Sequence, residues 1–117
     1  MNRRELIQRL VLNAICDDYE NVDQVILRDV ARDGAKLGLA VERSDIVGAL
    51  AELIKGGLAK AYFLSSTGQA KGLESMPSLE VVEVNFQTYF YITKQGMVLH
   101  RSDDKWWPFD DESKLLE

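Results

Sequence analysis

The chain of 117 residues contains one cysteine, Cys16, and one histidine, His100. It can therefore close no internal disulfide, and it offers no pair of soft ligands at a metal-binding spacing. A disulfide-stapled secreted module and a zinc site are both excluded. The two prolines and eight glycines are too few for a collagenous or low-complexity chain. No apolar run approaches the roughly 20 residues that a bilayer span requires. The opening MNRRELIQRLVLNAICDDYE places basic residues before an apolar stretch, but Gln8, Arg9 and Asn13 interrupt it and no small-residue cleavage site follows. These absences predict a protein of a reducing compartment, the cytoplasm, with no membrane segment.

An excess of positive charge is lacking too, since the net charge is -5. Its distribution matters more than its sum. Residues 103–117, DDKWWPFDDESKLLE, hold six acids against two bases, so residues 1–102 hold 13 acids against 12 bases and are nearly neutral. The chain accordingly divides into a domain, 1–102, and an acidic aromatic tail, 103–117, packed on the domain or at a dimer interface. A near-neutral body does not by itself exclude a phosphate-bearing partner.

Catalytic constellations are missing as well. His100 has no legible orienting partner, and Cys16 sits among apolar positions, as a small hydrophobe does. Asp17, Asp18 and Glu20 lack the spacing of a calcium loop. Gly68 and Gly72 lead toward a strand rather than the helix a phosphate-cradling loop needs. The expectation is no enzyme, no cofactor and no metal.

What is present is periodicity. Leu6, Ile7, Leu10, Val11, Ala14 and Ile15 recur at helical spacing and predict a first helix from residue 3 to about 19. Leu12, Cys16 and Tyr19 form a second apolar stripe, covered either by the tail or by a second subunit. Val22, Ile26, Val30 and Leu37 predict a second helix ended by Gly38. Arg28, Arg32 and Lys36 line its outer side among Asp29 and Asp33, which reads as a solvated face with local ion pairs. A third helix is predicted with Ser44 as N-cap, Asp45 in the first turn, and Ile46, Val47, Leu50, Leu53 and Ile54 inward. Gly56 and Gly57 end it, and the strand LAKAYFL follows at once.

Residues 65–78 are rich in Ser and Gly and read as a loop. Leu79 to Ile92, with Val82, Val84, Phe86, Phe90 and Ile92 toward one face, predicts a return strand antiparallel to 58–64. Thr93 then caps a short helix, KQGMVLHR. In the tail, Trp106, Trp107 and Phe109 either fold back over the first helix or anchor a second subunit.

The stretches RSDIVGALAELIKGGLAKAYFL and TYFYITKQGMVLH, in this order of elements, resemble a winged helix-turn-helix domain of the kind found in MarR and PadR bacterial regulators. The resemblance covers Leu6 to His100. It implies an α+β, mainly α fold with a three-helix core, a two-stranded antiparallel wing with a long loop, and a short C-terminal helix. It further implies a homodimeric transcriptional regulator that reads double-stranded DNA with the third helix. The residues expected at the DNA are Arg43, Ser44, Gly48 and Ala49 on that helix, with Lys60 and Lys71 on the wing. Leu12, Cys16, Tyr19, Trp106, Trp107 and Phe109 are expected at the subunit interface. The alternative is a winged-helix module that binds protein and no nucleic acid.

Overall fold

A computed structural model of the chain describes residues 2–65, 67–74, 76 and 88–101. The predicted strand positions Val82, Val84 and Phe86, and the tail with Trp106, Trp107 and Phe109, lie outside the described residues. The described elements are α1 (Arg3–Ala14), a π-helical turn (Val22–Ile26) running into α2 (Leu27–Ala35), α3 (Arg43–Lys55), β1 (Ala59–Leu64), β2 (Ala70–Gly72), β3 (Thr88–Ile92) and α4 (Lys94–His100). The fold is α+β, with helices making up about half of the described residues.

The helix ends follow from local chemistry. Asn2 caps α1 by accepting the Glu5 N–H at 2.9 Å, and Asn21 opens the π turn by accepting from Asp23 and Gln24. α2 and α3 finish in the same way. Gly38 and Gly57 take φ of +74° and +77°. The next N–H then reaches back across the last turn, Leu39 to the Gly34 carbonyl and Leu58 to the Leu53 carbonyl, both at 2.9 Å. Three boundaries differ from the sequence reading. α1 stops at Ala14 rather than near residue 19, because the Ile15 carbonyl accepts the Ile92 N–H and Glu20 exchanges two backbone bonds with Phe90. Residues 15–20 thus cover the free edge of β3 instead of extending the helix. α3 begins two residues earlier than expected, with Glu42 rather than Ser44 at the cap.

The third difference is in the sheet. Its strand order is β2-β1-β3, all antiparallel, with Ala59 opposite Ile92 and Leu64 opposite Ala70. The expected two-stranded wing is a three-stranded sheet, because residues 70–72 in the Ser- and Gly-rich loop pair with 62–64. Ala-Lys-Gly has little strand preference of its own and is ordered here by the ladder of β1.

One face of the sheet, through Ala59, Ala61, Phe90 and Ile92, closes the core. The helices supply Ile7, Leu10, Val11, Leu12 and Ile15, then Val22, Ile26 and Val30, then Ile46, Leu50 and Leu53. The second apolar stripe of α1 is therefore divided. Leu12 is wholly buried and lines a cavity of about 170 Å³ with Leu53, Leu58 and Leu99. It belongs to the core, a correction to its expected place at a subunit interface. Cys16 is half-buried and packs against the same core. Tyr19 crosses to the outer face of the sheet, where its ring meets Tyr62 edge-on at 4.9 Å and Tyr91 tilted at 5.0 Å.

α4 is fixed by one corner. Thr93 caps it, accepting the Gly96 N–H at 3.0 Å while its hydroxyl donates to the Gly57 carbonyl at 2.6 Å, and its own N–H reaches the Leu58 carbonyl at 3.1 Å. Gly96 lies so close that a Cβ there would overlap the Leu58 carbonyl oxygen. Replacing a helical glycine with alanine ordinarily stabilises by up to about 1 kcal/mol. Gly96→Ala is expected instead to destabilise by about 1–3 kcal/mol, the cost of overpacking, measured as a lower urea midpoint at unchanged slope.

Candidate nucleic-acid interface

α3 buries Ile46, Ala49, Leu50 and Leu53 and leaves Ser44, Gly48, Glu52 and Lys55 exposed. The exposed stripe is one residue out of phase with expectation at one point. Ala49 is buried at the core, not outward, while Val47 is half-buried. Ala49, expected outward, packs on the core and shows only its edge at the surface.

Every charged side chain on the first two turns of α3 is engaged by another element. On one side Arg43 grips Asp23 of the π turn, its Nε at 2.7 Å from Oδ1 and Nη2 at 3.3 Å from Oδ2. On the other side Arg3 of α1 makes a bidentate bond to Asp45, Nη1 to Oδ1 at 3.1 Å and Nη2 to Oδ2 at 2.9 Å. Arg3 Nη2 also donates to the Ala40 carbonyl at 2.9 Å, and Asp45 accepts the Glu42 N–H at 2.9 Å. One carboxylate therefore caps α3, and one guanidinium ties that cap to α1 and to the loop before it. Two turns further along α3, Arg4 pairs with Glu52 at 2.8 Å.

The Arg3–Asp45 and Arg4–Glu52 pairs stand in a groove of about 440 Å³ between α1 and α3. Its walls carry Arg3, Arg4, Ile7 and Gln8 on one side and Ser44, Asp45, Gly48, Ala49 and Glu52 on the other. The structure so brings together Ser44, Gly48 and Ala49 from the sequence-predicted set and adds Arg3 and Arg4, which sequence reasoning missed. The available signal was the Arg-Arg pair at the start of α1. Its meaning depended on partners more than 40 residues away.

Lys60 and Lys71 stand elsewhere, on the sheet. Lys60 is opposite Tyr91 and holds its Nζ 5.8 Å from the Tyr62 ring centre. Lys71 lies on the edge strand opposite Phe63. All four tyrosines of the chain belong to this region: Tyr62 pairs with Tyr89, Tyr91 follows one step on, and Tyr19 closes over Tyr62 and Tyr91. The expected basic face of α2 is ion-paired as predicted, Arg28 with Asp29 at 3.1 Å, Arg32 with Asp33 at 3.2 Å and Lys36 with Asp33 at 3.9 Å.

His100 shares a hydrogen bond with Asn13 at 2.9 Å, joining α4 to α1, and burial pushes its pKa down. Burial, with Asp17 alongside, pushes the Cys16 thiol up to about 11. Among the described residues no group of three or more His, Cys, Asp or Glu side chains could hold a metal ion, and no helix is long and apolar enough to cross a membrane. Comparison with known proteins returned no match among family models, curated proteins or solved structures.

Two outcomes follow. The Arg3 bond, followed by the Glu42 N–H, holds the Asp45 carboxyl down at about 2 from an ordinary 3.8. A carboxyl whose pKa is depressed on folding contributes stability above its unfolded value and loses it as pH falls toward the folded one. Arg3→Ala should move the Asp45 midpoint up toward 3.8 in an NMR titration, and Asp45→Asn should remove the part of the acid sensitivity that lies between those two values. Cys16 should resist a disulfide-exchange reagent at pH 8 in the native protein and react fully once denatured.

Proposed function

We propose that the chain is a winged helix-turn-helix transcriptional regulator that binds duplex DNA, with the exposed side of α3 entering the major groove and the hairpin strands flanking it. The element order supports this: three helices, a sharp glycine corner, an antiparallel pairing of β1 with β3, and a capped short helix. The observation that carries the reading is the electrostatic state of α3. Read alone, Asp45 and Glu52 would repel phosphates. With Arg3 on Asp45 and Arg4 on Glu52, each acid is neutralised and an arginine stands at the rim of the helix. Ser44 and Gly48 between them are small and exposed, which lets the helix approach base edges in a groove about 12 Å wide.

In this reading Ser44 and Gly48 lie at the bases, Arg43 holds α3 against the π turn beside them, and Lys60 and Lys71 offer positive charge from the sheet. The protein acts in the cytoplasm, as a homodimer whose contact involves Tyr19, Cys16 or the aromatic tail. A second reading, a winged-helix module that binds a protein, draws support from the net charge of -5 and from the tyrosine-lined face of the sheet.

Fluorescence anisotropy of labelled mixed-sequence duplex tests the choice. The regulator reading expects binding at low ionic strength that falls linearly on a log-log plot against salt. Absence of any salt-sensitive binding would overturn it in favour of the protein-binding module. Lys71→Ala should lower the slope by about one unit.

A further inference from the structure

Resting on the reading of α3 as the DNA-contacting helix, we infer that Arg4 is a displaceable phosphate-binding arm, and that Glu52 is its internal competitor, holding the arm back from non-specific backbone. From Ser44 to Glu52, α3 carries no cation of its own. Any positive charge on this part of the surface has to come from α1, and the groove already places Arg3 and Arg4 beside Ser44 and Gly48.

The two arginines are neighbours in sequence but differ in anchorage. Arg3 makes three hydrogen bonds, two to Asp45 and one to the Ala40 carbonyl, and Asp45 is itself fixed by the Glu42 N–H. Removing Arg3 would unpair a cap and a carbonyl together, so it stays. Among the described residues Arg4 makes one ion pair, to Glu52, with side chains 68% and 44% exposed. An exposed single-contact ion pair is weak and is screened by salt. A DNA phosphate offers the same guanidinium a bidentate partner and the release of a counterion, so exchange from Glu52 to phosphate is favourable. Arg3 is thus the positioning residue that preforms the start of α3, and Arg4 is the one that changes partners.

The competition has a distinctive signature in a double-mutant cycle. Binding to mixed-sequence duplex is measured by anisotropy across a salt series for the full chain and for R4Q, R4K, E52Q and the double variant, with thermal melts to verify folding. R4Q is expected to lower the salt slope by about one unit, and R4K to restore it. E52Q is expected to tighten binding about two- to fivefold, the worth of an exposed ion pair, and to do so much less in the R4Q background. Melts of R4Q and R4K should match the parent. An unchanged slope in R4Q, in a protein that does bind DNA, overturns this inference and leaves the regulator reading standing. An equal gain from E52Q with and without Arg4 overturns the competition. A parent protein that shows no salt-sensitive binding overturns both.

Discussion

Two adjacent carbonyls, those of Gly57 and Leu58, hold the molecule's direction. Gly57 accepts the Thr93 hydroxyl, and Leu58 accepts the Thr93 N–H and presses on Gly96. Through them the end of α3, the start of β1, the end of β3 and the start of α4 meet at one point. Everything the outer side of α3 offers depends on this corner, because it sets the angle at which the helix leaves the sheet. The left-handed turn at Gly57 is what exposes both carbonyls to Thr93.

The start of α3 is held with similar economy by charge. Arg43 ties it to the π turn and Arg3 ties it to α1, so the helix is gripped on two sides by pairs that also match its individual charges. Bonds of this kind contribute little stability when exposed. Their value is geometric: the planar guanidinium fork fixes orientation as well as distance. A near-neutral domain can in this way present a charged contact without carrying a strong field, and selection among partners then rests on local arrangement rather than long-range attraction.

What could be seen in the sequence was whatever depends on neighbours along the chain. The periodicity of α1 and α3, the stops at Gly38 and Gly57, the Thr93 cap and the strand character of β1 and β3 all have local causes, and each is present. What escaped was set by distant residues. The end of α1 moved because Ile15 and Glu20 bond to β3, some 70 residues on. β2 was hidden because its ladder comes from β1 and not from its own side chains. Ala49 turned inward, beside Leu50 and Leu53, because helical phase alone does not say how wide a face the core will take. The candidate site was the least legible, since Arg3 and Arg4 acquire their meaning only where α1 crosses α3.

The crowding at Gly96 also bears on how other chains of this design could be recognised. Two glycines, at 57 and 96, and one hydroxyl, at 93, are demanded by backbone geometry rather than by any ligand, so they should outlast changes in the helices around them. A Gly-Leu step closing a helix, followed after a variable insertion by Thr-x-x-Gly at the end of a strand, is a pattern that tolerates divergence in every side chain of the groove. Kinship could therefore be traced through this corner long after the surface that does the binding has been rewritten.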